Sequence, residues 1–152
     1  MSIHSQKAKD LFLDGYNCAQ AVFCAFNDLT GLDFATASKL SSSFGGGLGR
    51  LREVCGAVSG MCMVAGILYG PAYPDDRQEK ADHYARIQEL TRRFREENGS
   101  IICRELLGLK DATNVSPVPE ARTAQYYKKR PCAEMVECAA RIMDEYISEN
   151  PL

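Results

Sequence analysis

Four cysteines stand where a thiol can do chemistry. Cys18, Cys55, Cys103 and Cys132 each fall in the first turn of an expected helix. A helix start carries about half a positive charge and unpaired N–H donors, so it favours a thiolate or another anion. Cys55 is the most developed case. Ahead of it run Gly45-Gly46-Gly47, Gly49, Arg50 and Arg52; behind it come Gly56-Ala57 and Gly60. Nearby cations lower a thiol pKa, and a loop rich in glycine can lie close to another group. Arg50 and Arg52 are therefore the expected electrostatic support, and Gly45, Gly46 and Gly47 the adaptable cradle.

The other three cysteines, Cys24, Cys62 and Cys138, fall inside helices. There a free thiol behaves as a small hydrophobe, so Cys24 and Cys138 read as core. Cys62 lies two turns beyond Cys55 on nearly the same face, roughly 10 Å away by helix rise, too far for a disulfide with it. The total of seven is odd, and the N-terminus lacks the long apolar core of an export signal. A secreted disulfide framework is not expected, and the location read from these signals is cytoplasmic.

The chain that must position the thiols has 152 residues, enough for one domain with a sizeable core. A single domain over residues 1–152 is expected, with no repeat or linker to divide it. A net charge of −2 argues against nucleic-acid binding through bulk electrostatics. The most apolar run, Val54 to Tyr69, is too short and glycine-rich for a membrane span.

Period-2 alternation is nearly absent and helical periodicity is frequent, so the expected fold is all-α. Six or seven helices should pack around the helix that starts at Cys55. The first runs from Ser5 to Asp14, leaving His4 in a frayed end. Asn17 and Gln20 form a capping box for a second, from Cys18 to about Leu29. Asp33 caps a third, to about Ser43; the Cys55 helix ends at Tyr69 before Gly70-Pro71. A long amphipathic helix runs from Pro74-Asp75 to about Asn98, with Ala81, Tyr84, Ile87, Leu90 or Thr91, and Phe94 inward. A short helix covers Ile101 to Leu107. The stretch Leu109 to Lys129 is irregular, with a helical turn around Glu120 to Tyr127. Pro131 opens the last helix, which buries Met135, Val136, Ala139, Ile142, Met143 and Tyr146.

Thiols at four helix starts suit two kinds of redox centre. One is an iron–sulfur cluster with Cys18, Cys55, Cys103 and Cys132 as ligands, its charge offset by Arg50, Arg52 and Arg104. The other is a thiol/disulfide centre in which Cys55 attacks and Cys18 resolves. Zinc ranks third. The spacings of 37, 48 and 29 residues contain no Cys-x-x-Cys, which excludes zinc ribbons, ferredoxin loops and thioredoxin-like machines. The alternative is a non-enzymatic helical module that binds a structural metal, a small anion or a protein partner. The glycine loop lacks the lysine and the preceding strand of a nucleotide loop. His83 is read as a boundary residue, and Tyr126-Tyr127 as loop packing or a binding edge. Small residues on the Cys55 helix also suit pairing between two copies as a homodimer.

The segments YNCAQAV (16–22), FGGG followed by CGAVSG (55–60), CRELLG (103–108) and PCAEMV (131–136) together resemble the C_GCAxxG_C_C family of small proteins held to be redox-active. The resemblance spans about Gly15 to Ala140. It implies that the hallmark cysteines are Cys18, Cys55, Cys103 and Cys132, and that Gly56, Ala57 and Gly60 complete the CGAxxG motif. It implies redox activity and supplies no substrate.

Overall fold

The computed structural model describes residues 2–109 and 116–152. Among them there are nine α-helices and no strand: α1 (Ile3–Leu13), α2 (Cys18–Ala25), α3 (Asn27–Thr30), α4 (Phe34–Ser41), α5 (Gly56–Tyr69), α6 (Arg77–Asn98), α7 (Cys103–Leu106), α8 (Ala124–Lys129) and α9 (Cys132–Glu149). The fold is all-α. Two helices beyond the expected seven arise locally. Phe26, at φ −103° and ψ 17°, ends α2 and splits off the single turn α3. Thr123 caps α8 by accepting from the Tyr126 N–H.

The starts follow from their caps. Asn17 and Gln20 form the capping box of α2, Asp33 accepts from Thr36 at the start of α4, and Asp76 accepts from Gln78 and Glu79 at the start of α6. The Asn17 box matters most, because it fixes where Cys18 enters its helix. His4, expected in a frayed end, is instead held fast. Ser2 caps α1 ahead of it, its ring stacks on Phe26 at 4.2 Å, and Asp144 and Asp28 bind its two nitrogens at 2.7 and 3.0 Å. Those carboxylates, Asp144 foremost, raise the His4 pKa against the effect of burial.

The centre of the fold is shared by α2 and α5. Seven of the eight residues of α2 are buried, as expected of a helix surrounded on all sides. It packs on α1, α4, α5 and α9. The buried stripe of α9 comprises Val136, Ala139, Ala140, Ile142, Met143 and Tyr146; Met135 is only half-buried. The α6 stripe is shorter than its periodicity suggests: Leu90 and Phe94 are buried, while Ala81 and Tyr84 are exposed. α6 packs on α5 and α9, and its burial is complete only towards its C-terminal half, at Leu90 and Phe94. No helix among the described residues is long and apolar enough to cross a membrane.

The contact between α2 and α5 depends on a missing side chain. A Cβ at Gly60 would stand 2.7 Å from the Ala19 carbonyl oxygen and 3.0 Å from Val22 Cβ, whereas one at Gly66 would meet nothing within 4 Å. Gly66→Ala should therefore stabilise the protein by about 0.5–1 kcal/mol through helix propensity. Gly60→Ala should destabilise it by about 1–2 kcal/mol, because overpacking against backbone outweighs the same gain. Urea unfolding of the two variants checks the opposite signs; a stabilised Gly60→Ala would contradict the packing.

Candidate functional site

The four cysteines at helix starts line one cavity of about 430 Å³. Cys18 is the first residue of α2, Cys55 the N-cap of α5, Cys103 the first residue of α7 and Cys132 the first of α9. Backbone bonds tie two of these starts together. Cys55 N–H donates to the Ile101 carbonyl at 2.8 Å, Cys103 N–H donates to the Glu53 carbonyl at 2.6 Å, and Val54 bridges Ile102 in antiparallel fashion. Cys18, Cys55 and Cys103 are buried, Cys132 is half-buried, and every one is a free thiol. Among the described residues no three cysteine, histidine or carboxylate side chains stand close enough together to grip a single metal ion.

The glycine loop is wound left-handed. Gly46, Gly47, Leu48, Gly49, Arg50 and Arg52 all have φ between 53° and 75°. For Leu48, Arg50 and Arg52 that conformation costs roughly 1–2 kcal/mol each. Long-reach backbone bonds hold it: Gly49 N–H to Ser43 O at 2.8 Å, Arg52 N–H to Gly46 O at 3.1 Å and Glu53 N–H to Gly47 O at 2.9 Å. The positions expected as a cradle have separate jobs. Gly45 and Gly46 line the cavity, and the Gly46 N–H acts on the Cys18 sulfur. Gly47 lets Cys103 in, since a Cβ there would stand 2.7 Å from the Cys103 Cβ. Gly56 does the same for Cys18, whose Sγ lies 2.4 Å from where a Gly56 Cβ would be. The glycine after Cys55 is thus the space that the Cys18 sulfur occupies.

The expectation of a lowered thiol pKa at Cys55 is overturned. Burial dominates and raises the Cys55 thiol well above its ordinary value; the N–H groups of Val58 and Ala57 only partly counter it. Burial also raises Cys18 and pushes Cys132 up to about 12. The thiols feel one another: charge on Cys18 raises Cys55 and Cys132, and charge on Cys103 raises Cys18, Cys55 and Cys132.

The cations are also redistributed. Arg52 sends Nη1 to the Cys103 sulfur at 3.7 Å, not to Cys55. Arg50 donates to the carbonyls of Ser116 and Val118 and lies 3.6 Å from Glu120, so it pins the segment over the cavity. Arg104, expected to offset cluster charge, pairs with Glu53 at 3.1 Å and lies outside the lining. Arg122 and Arg130, neither of them foreseen, line the cavity instead, together with Tyr126. Arg122 comes from the irregular stretch and Arg130 from the residue just after it, where no periodicity places a side chain.

The remaining candidates lie elsewhere. Cys24 is in the core. Cys62 is half-buried outside the cavity, with burial pushing its thiol up to about 11. Cys138, expected in the core, is half-buried beside Asn98 at 3.4 Å and Arg141 at 3.5 Å. His83 sits on α6 against Arg86 at 2.8 Å, and α6 contributes nothing to the cavity.

The family model described as "Putative redox-active protein (C_GCAxxG_C_C)" matches residues 16–146. The chain belongs to this family. Its matched span holds all four cavity cysteines and the whole glycine loop. Comparison with curated proteins and with solved structures finds no match.

Burial of these thiols sets a pH dependence. In the metal-free, reduced protein, the unfolded chain sheds thiol protons from about pH 8.5, while the folded chain keeps those of Cys18, Cys55 and Cys132. The folded state then holds more protons, so stability falls as pH rises through this window, by up to about 1.4 kcal/mol per pH unit for each thiol. Urea unfolding in reductant at neutral pH and again near pH 10 checks this; stability that rises between the two would contradict the burial.

Proposed function

We propose that Cys18, Cys55, Cys103 and Cys132 together hold a redox centre in the cavity, and that this centre is an iron–sulfur cluster. The observation that carries the reading is the placement of four thiols from four helix starts around one cavity of about 430 Å³. Four cysteines is the usual ligand count for such a cluster. Zinc needs four sulfurs about 2.3 Å from one ion, and no set of ligands that close exists among the described residues. A polynuclear centre spreads its ligands more widely. A bound cluster would supply one-electron transfer.

The chain's own residues make the rest of the chemistry. Ligand thiols must lose their protons before they can bind metal. The raised pKa of Cys18, Cys55 and Cys132 keeps them protonated while the cavity lacks a metal centre. The Gly46 N–H and the first-turn N–H groups of α5 then stabilise the thiolates once they form. The Arg52 guanidinium does the same for Cys103. Burial keeps bulk water from the sulfurs, which strengthens each of these interactions.

A second reading is supported by the closeness of Cys18 to the start of α5. Here the Cys55 thiolate would attack a partner's disulfide, and the Cys18 thiol would then displace the partner as a thiol. Two electrons and the thiol protons would pass to the partner, leaving a Cys18–Cys55 disulfide. The raised pKa of both thiols counts against it, because the thiolate is the nucleophile.

Anaerobic reconstitution with ferrous iron and sulfide separates the two. The cluster reading predicts a brown protein with iron and acid-labile sulfide in similar amounts. Cys18→Ser, Cys55→Ser, Cys103→Ser and Cys132→Ser should each lose most of the iron, and Cys62→Ser should keep it. Colourless, iron-free protein that forms a Cys18–Cys55 disulfide on mild oxidation, seen by peptide mass, would overturn the cluster and leave the thiol/disulfide centre.

A further inference from the structure

The wall of the cavity carries an unbalanced charge. Among the described lining residues, four guanidiniums, those of Arg50, Arg52, Arg122 and Arg130, stand against a single carboxylate, Glu120. Glu120 serves both Arg50, at 3.6 Å, and Arg130. Among the described residues, four cations against one anion leave three positive charges with no carboxylate in the wall. Positive charge gathered in a partly desolvated cavity is unfavourable by itself and creates a field that favours negative charge there.

Arg122 is the most firmly placed of the four. Its Nη1 donates to the Phe12 carbonyl at 2.9 Å and its Nη2 to the Tyr16 carbonyl at 3.0 Å. The guanidinium lies 4.3 Å over the Phe12 ring and 5.1 Å over the Tyr126 ring. It meets no carboxylate among the described residues. A long cation that is stacked and hydrogen-bonded to neutral groups is a preorganised charge awaiting an anion. Arg122 and Arg130 line the same cavity as Cys132.

We infer that Arg122, with Arg130 and Arg52, is the counter-charge of the anionic thiolate centre and makes that centre easier to reduce. The inference rests on the thiolate-centre reading above. Four thiolates bring negative charge into the cavity, and reduction adds one electron from an external one-electron donor, with no bond made or broken. A fixed positive charge favours the more negative of the two states, so its loss lowers the reduction potential. Arg122 is a positioning residue here; it acts through charge and touches no reacting atom.

The test uses the chain and its Arg122→Gln and Arg122→Lys variants, reconstituted anaerobically with iron and sulfide and titrated with dithionite. In the fraction that takes up iron, Arg122→Gln should shift the midpoint potential down by at least about 59 mV, a tenfold change in a one-electron equilibrium. Arg122→Lys keeps the charge and should shift it by less than half as much. Equal potentials in the parent and Arg122→Gln would overturn the inference. If the parent takes up no iron, the thiolate-centre reading fails and this inference falls with it, whereas iron uptake with equal potentials overturns the inference alone. If Arg122→Gln does not fold, Arg130→Gln carries the same expectation.

Discussion

The sulfur of Cys18 fills the space that a side chain at Gly56 would take. That contact sets the separation of α2 and α5, the two helices at the centre of the fold. Gly60 extends it by one turn, where the α2 backbone itself comes within reach of α5. The CGAxxG motif is therefore a packing surface as well as a thiol. It brings the start of α2 beside the start of α5, so that Cys18 and Cys55 share a cavity. The bridge between Val54 and Ile102 brings in Cys103, and the packing of α9 on α2 and α5 brings in Cys132.

Two opposing effects act on the thiols once they are gathered. Helix starts and the Gly46 N–H favour thiolates, while burial and mutual repulsion disfavour them. Burial wins in the metal-free cavity, so the site keeps its protons until something repays their loss. The left-handed loop bears on the same balance. Holding Leu48, Arg50 and Arg52 at positive φ costs roughly several kcal/mol in all. In return, that loop delivers the Gly46 N–H to one sulfur and the Arg52 guanidinium to another. Strain of this kind gathers where function requires a conformation that the chain would otherwise avoid.

Most of the framework was legible in the residues. Capping side chains announce where α2 and α4 begin, α6 starts later than Pro74-Asp75 suggests because Asp76 is its cap, and the helix-start rule selects the four cysteines that line the cavity. Electrostatics was not legible. Arg50 and Arg52 lie near Cys55 in the chain, but left-handed winding turns one to the Ser116–Glu120 segment and the other to Cys103. Arg122 and Arg130 lie in or beside an irregular stretch, where no period predicts which way a side chain faces. Cys138 looked like core because it sits mid-helix, yet it faces the edge of α6, where Asn98 meets it. His4 looked frayed because it is near the terminus; its two carboxylate partners come from other helices, Asp28 of α3 and Asp144 of α9. In each case the missing information was a contact between segments remote in sequence.

Anomalous diffraction at the iron edge from an anaerobically grown crystal of the reconstituted protein tests the central claim most directly. The account predicts iron peaks grouped in the cavity bounded by Cys18, Cys55, Cys103 and Cys132, with all four sulfurs turned toward them. A cavity without iron, with any of those sulfurs directed away into apolar surroundings of its own, would contradict it.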